Sequence, residues 1–232
     1  MTRTRPVIAI DGPVGAGKSS AARALARALG YTYLNTGAMY RAVAIAAREA
    51  GIAPGAPDLE QRLAPLLAAI RIDFADERLL LGGRDVSAQA LEPAIGDLAS
   101  RLSALGAVRS RMREMQRAAG EQGGVVMEGR DIGTVVFPDA EFKFYLDADV
   151  MERARRRYAE LKEKGTATSL EEVAAQLRER DARDSGRELA PLRAAPDAVV
   201  IDSTGLSLER VVNAMKTRIV AGINDRKGLK RT

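Results

Sequence analysis

Val7-Ile8-Ala9-Ile10-Asp11-Gly12-Pro13-Val14-Gly15-Ala16-Gly17-Lys18-Ser19-Ser20 stands near the start of the chain and decides how it folds. The apolar run 7–10 reads as a buried strand ending in Asp-Gly. Residues 12–19 fit the pattern G-x-x-x-x-G-K-[ST]. Apolar positions at helical spacing follow (Ala21, Ala24, Leu25, Ala28, Leu29), and Gly30 suits a helix C-terminus. Strand, glycine-rich turn and helix in that order make a phosphate cradle. Glycines let the loop wrap until backbone N–H groups converge on an anion. The helix N-terminus turns its partial positive charge toward the same point. Lys18 supplies a mobile charge for the β- and γ-phosphates of a nucleoside triphosphate, and the Ser19 hydroxyl is placed to ligate Mg²⁺.

Working outward, the pattern predicts a second strand at 31–34 and a helix over 38–50 ended by Gly51. The breaker cluster 53–57 then opens a stretch of different character. There a helix is expected at 59–69, short strands at 71–74 and 79–81, and a turn at Gly82-Gly83. This stretch, about 57–95, lacks the strand–helix rhythm around it and reads as an insert. Residues 94–120 read as two helices broken near Gly106. The rhythm resumes with strands at 125–127, 142–146 and 199–201, and helices at 150–164, 170–184 and 207–221. Five buried-type strands separated by helices predict an α/β fold, a five-stranded parallel sheet covered by helices on both faces.

Absent residue types narrow the chemistry. The 232 residues include no Cys and no His, which excludes disulfides, thiolate nucleophiles, imidazole bases and Cys- or His-ligated metals. Catalysis must rest on carboxylates, Lys, Arg, hydroxyls, backbone dipoles or a hard cation. Nothing approaches the ~18 apolar residues of a membrane span, and the N-terminal apolar run is too short for a signal peptide. A cytoplasmic protein without a membrane partner is expected. The net charge of +5 and pI near 9.7 raise nucleic acid as a partner. However, six of the basic residues and only one acidic one fall after Ala214, so residues 1–214 sum to zero. The charge belongs to a short tail, 226–232 at its core, which is expected to be largely disordered.

Three further segments carry chemistry. Asn35-Thr36-Gly37-Ala38-Met39-Tyr40-Arg41 sets a hydroxyl, a helix start and an Arg close together, suited to a second phosphate. Val125-Val126-Met127-Glu128-Gly129-Arg130-Asp131 delivers charged residues to the carboxyl end of a strand, where ligands of open parallel sheets bind. Arg180-Asp181-Ala182-Arg183-Asp184-Ser185-Gly186-Arg187 ends a charged helix, and by itself it reads sooner as a solvated end laced with ion pairs than as a site.

As a set these motifs resemble bacterial cytidylate kinase, in that family's order and with similar spacing, over about residues 6–220. The resemblance implies a P-loop kinase: one nucleoside monophosphate kinase domain over 1–225, with an NMP-binding insert at about 57–95 and a helical lid at about 153–187. It implies transfer of the ATP γ-phosphoryl group to CMP or dCMP, with Mg²⁺, by a monomer. It assigns Gly12, Pro13, Val14, Gly15, Ala16, Gly17, Lys18, Ser19 and Ser20 to ATP. Thr36, Tyr40 and Arg41 match positions near the acceptor phosphate. Ser100, Arg109 and Asp131 match positions that read cytosine, and Arg130 sits beside the acceptor. Arg180 and Asp184 match positions at the sugar, and Arg187 one near the phosphates. In the lid, Arg153, Arg156 and Arg157 are candidates for reaching ATP. Lys18, Arg130 and Arg187 would neutralise the transition state, whose charge lies on the equatorial oxygens, so no obligate base is needed.

Cytosine's edge agrees with this assignment. It offers an amino donor at N4 and acceptors at N3 and O2, so a carboxylate should take the first and an Arg should serve the others. Asp131 with Arg109 meets both needs, and uracil reverses the pattern. The rivals are a kinase for another small acceptor, UMP or shikimate, and a nucleic-acid-binding ATPase. The last is disfavoured by 4% aromatic residues and no Trp, which leave few stacking platforms.

Overall fold

A computed structural model describes residues 3–75, 77–163 and 165–229, with side chains in the final helix to residue 223. In chain order the elements are β1 (Val7–Asp11), α1 (Lys18–Leu29), β2 (Thr32–Asn35), α2 (Thr36–Glu49), α3 (Leu59–Ala69), β3 (Ile72–Ala75), β4 (Arg78–Leu81) and β5 (Arg84–Asp85). Then come α4 (Ser87–Ala90), α5 (Pro93–Leu102), α6 (Gly106–Gly120), β6 (Val125–Gly129), a single π-turn (Ile132–Val136), β7 (Phe142–Asp147), α7 (Val150–Glu163), α8 (Leu170–Ser185), β8 (Val199–Asp202) and α9 (Leu208–Leu229). Chain packing divides them into two compact units, Met1–Leu34 with Gln122–Thr232, and Asn35–Glu121.

The first unit holds the five-stranded sheet, ordered β2-β6-β1-β7-β8. Every residue of β1 and β6 is buried, which is why residues 7–10 and 125–127 are apolar without alternation, with the charged Asp11 and Glu128 only toward the carboxyl ends. Their parallel register pairs Asp11 with Gly129, and β7 sets Tyr145 beside Asp11. The carboxyl ends of the three central strands therefore share one level. On one face, α1 and α9 pack Leu25, Val211, Met215 and Ile219 against Ile8 and Phe144. Each fully buried Leu, Ile or Phe contributes about 1.5–3 kcal/mol. A helical hairpin, α7–α8, closes on Ala154, Leu161, Val173 and Leu177. Its second helix starts in a capping box between Ser169 and Glu172.

Two expectations change here. Strand β8 is an edge strand with alternating exposure, and Val200 is 62% exposed, so it is not buried on both faces. The closing helix does not stop at Ala221. Gly222 lies inside α9 against the Phe142 ring, where a Cβ would come within 2.8 Å of Cε1. That glycine serves close packing rather than termination. The backbone of 226–229 is thus helical, and residues 230–232 of the expected disordered tail lie outside the described residues.

The second unit joins α2–α6 to a small antiparallel sheet, β3-β4-β5, and contains the whole 57–95 stretch. Ile45, Leu63, Ile95, Leu102 and Met112 are fully buried in it. The two-residue β5 escaped the sequence reading because Arg84 and Asp85 are both charged and exposed. No helix among the described residues is long and apolar enough to cross a membrane.

Candidate active site

Glycine is required where the loop after β1 turns. Gly12 has φ +145°, and a Cβ there would sit 1.9 Å from the Leu146 carbonyl oxygen of β7. Gly17, at φ +90°, precedes α1, and no side chain caps that helix. The loop and first turn therefore offer N–H groups to an anion. Lys18 is buried and donates from Nζ to the Pro13 carbonyl at 2.7 Å. Burial pushes its pKa down to about 7. The nearby Arg130 adds to this, and Glu128 and Asp11 oppose it. An anion in the cradle would restore the charged form. The loop's outer side is pinned by Arg153, which donates to Val14 O at 3.1 Å, to Ala148 O at 2.9 Å and to Asp181 Oδ2 at 2.6 Å.

Beside the loop, β6 ends in Glu128, Gly129 and then Arg130. Tyr33 donates its hydroxyl proton to Glu128 Oε1 at 2.6 Å and shares a further hydrogen bond with Ser19. Burial and the neighbouring Glu128 charge raise the Tyr33 pKa far above that of ordinary tyrosine. Arg130 donates from Nε to Asp184 Oδ2 at 3.0 Å, and Arg187 donates to Asp184 Oδ1 at 2.6 Å. Asp184 is only 2% exposed, so within the otherwise partly solvated end of α8 this carboxylate faces inward. The structure thus gathers Lys18, Arg130, Asp184 and Arg187, with Arg180 close enough to act on Lys18.

The lid arginines divide. Arg153 is committed to the loop and Asp181, and Arg157 to the exposed Glu160. Arg156 bonds Glu152 and donates to Ser203 Oγ at 3.1 Å and Ser203 O at 2.7 Å. Ser203 in turn donates to Ala16 O at 3.0 Å, which ties Arg156 to the phosphate loop.

In the second unit, Asn35 caps α2 by accepting from Ala38 N at 3.0 Å, and Thr36 is buried in the first turn. Tyr40 is half-buried one turn later. The Arg41 guanidinium donates to Ala90 O and lies over Gly96, where a Cβ would be 3.4 Å away. Ser100 is one turn beyond Gly96 on the same helix. Its carbonyl accepts from Ser103 Oγ at 2.8 Å, and Ser103 O accepts from Arg109 at 3.3 Å. Ser100 and Arg109 thus meet through Ser103, across the break between α5 and α6.

A family model described as cytidylate kinase matches residues 8–221. The chain belongs to the cytidylate kinase family. A relative named cytidylate kinase from Geobacter sulfurreducens is 52% identical over 215 residues, 91% of each chain. Another so named, from Methylococcus capsulatus, is 47% identical over 91% of this chain and 96% of its own. A solved structure of an uncharacterized protein from Eubacterium ventriosum matches at TM-score 0.52 and 12% identity over 93% of this chain and 98% of its own, a likeness of fold alone.

Membership in the cytidylate kinase family makes the chain a phosphotransferase. Asp11, Tyr33 and Ser203 were not among the expected site residues. Asp11 had a signal, a charge continuing a buried apolar run. Tyr33 and Ser203 had none, because their partners Glu128, Arg156 and Ala16 are distant in sequence.

Proposed function

We propose that the chain transfers the γ-phosphoryl group of ATP to CMP or dCMP, giving ADP and CDP or dCDP. What supports this most directly is that the buried Asp184 holds Arg130 and Arg187 together, while Lys18, at the start of α1, lies near Arg130. A loose phosphoryl transition state needs positive charge held in place and little else. Asp184 holds Arg130 and Arg187 at fixed angles, so their charge needs no reorganisation during transfer.

The loop fits a triphosphate, since Gly12, Gly15 and Gly17 all have positive φ and Lys18 is a buried amine that a bound anion would hold charged. Residues 12–20 would hold ATP, with Arg156 behind the loop. Mg²⁺ would supply positive charge that offsets the charge on the phosphates. Ser19 would hold it from the protein side. Among the described residues no three metal-ligating side chains converge, which suits a cation carried mainly by the nucleotide. For the acceptor, Thr36, Tyr40 and Arg41 would take the phosphate, Ser100, Arg109 and Asp131 the cytosine, and Arg180 and Asp184 the sugar. We read 1–225 as one kinase domain with an insert at about 57–95 and a lid at about 153–187 that excludes water. We further read it as a cytoplasmic monomer without a nucleic-acid partner.

Release of ADP measured with CMP, dCMP, UMP, AMP and shikimate in turn tests the reading. Turnover should be confined to CMP and dCMP, and equal rates with all five would refute it.

A further inference from the structure

Asp11 is a buried carboxylate that the transfer reaction does not use. It stands at the last position of β1, immediately before the phosphate loop, and is 3% exposed. Its two oxygens have separate partners. Oδ1 accepts from Ile132 N at 2.8 Å and Oδ2 from Gly133 N at 2.7 Å. These N–H groups follow directly after Arg130 and Asp131. The same short segment is held at its other points. Gly129 is paired with Asp11 in the sheet. The Asp131 carbonyl accepts from Val135 N at 2.9 Å and Val136 N at 3.2 Å, forming the π-turn. Gly133 is packed closely here, since a Cβ would lie 3.2 Å from Lys143 Cδ and 3.4 Å from Asp11 Oδ2.

We propose that Asp11 is a positioning residue for acceptor recognition: its two oxygens fix the backbone after Asp131 and so aim the Asp131 side chain. The inference rests on the cytosine-reading role proposed for Asp131. A carboxylate suits the task because two N–H donors face it. An amide could satisfy only one and would turn its own NH₂ toward the other. The carboxylate is also costly where it stands. Burial raises its pKa to about 6, against the pull of the two N–H donors, and the Asp131 charge adds to the rise. A group kept at such a cost in the fold points to a functional task.

The experiment compares Asp11→Asn with wild type in full steady-state kinetics for ATP, CMP and UMP, with circular dichroism melts alongside. Asp11→Asn is expected to raise KM for CMP about tenfold and to cut the CMP-over-UMP preference by a similar factor, with KM for ATP within about twofold. Gly133→Ala, whose Cβ would crowd the Lys143 stem at 3.2 Å and so shift the backbone that Asp11 holds, should give the same split, and the double variant should be less than additive. It also reads the contact if Asp11→Asn does not fold. A rise in KM for ATP equal to or larger than that for CMP overturns the proposal and assigns Asp11 to the phosphate loop through Lys18. A stability loss with unchanged CMP-over-UMP preference overturns it as well. Wild-type enzyme that makes no CDP overturns the reading of Asp131 and this inference together, whereas normal wild-type preference with an unaltered split sinks this inference alone.

Discussion

Asp184 accepts the Nε of Arg130 at 3.0 Å, joining the end of α8 to the end of β6 across 54 residues of sequence. Its second oxygen takes Arg187 at 2.6 Å. Removing this carboxylate leaves two guanidinium groups without their shared partner. Asp184→Ala should destabilise the fold by about 3–5 kcal/mol, as breaking a buried pair does, and lower kcat about 100-fold. Urea unfolding and steady-state kinetics check both. A variant of native stability and normal kcat would show that the pairing holds nothing of consequence.

Lys18 trades stability for function. Its pKa in the fold is about 7 against an ordinary 10.5, so the unfolded chain binds the extra proton between those values. The penalty is complete below about pH 7 and disappears as pH rises toward 10.5, so this residue makes stability increase with pH over that window. Lys18→Met should raise the melting temperature of ligand-free protein near pH 6, by roughly 2–4 °C for each kcal/mol relieved, and the gain should shrink by pH 10. Transfer should fall about 1,000-fold or more. A variant less stable at pH 6, or fully active, contradicts this account.

Arg153 and Arg157 sit one turn apart and should behave oppositely. Arg153 has a buried side chain that braces Val14, Ala148 and Asp181 at once. Arg153→Lys keeps the charge but loses the planar fork. It should cost about 1–3 kcal/mol of stability and raise KM for ATP several-fold. Arg157 pairs with the exposed Glu160, so Arg157→Ala should cost under about 1 kcal/mol. Parallel melts and ATP titrations of the two variants make the comparison.

Most of the sheet could be read directly from sequence because β1 and β6 are buried throughout and open on the apolar runs 7–10 and 125–127. The phosphate loop was legible for a related reason, since Gly12, Gly15 and Gly17 each meet a backbone need that no other residue satisfies easily. The π-turn after Asp131 was not. Nothing local to Ile132–Val136 specifies it, and its geometry comes with the Asp11 contact 121 residues away. The role of Gly222 was hidden in the same way by a contact with Phe142. Arg153 drew notice as one of several lid arginines, but only the fold distinguishes a brace for the loop from a side chain with an exposed partner.

The proposed selection of a cytosine nucleotide by Asp131 is tested most directly by the ratio of kcat/KM for CMP to that for UMP, measured in wild type and in Asp131→Asn. Wild type should favour CMP by about 100-fold or more, because uracil sets like groups against the site's buried polar atoms. Asp131→Asn should bring the ratio down about tenfold or more while changing KM for ATP little. A wild-type ratio near one, or a ratio unchanged by the substitution, would contradict it.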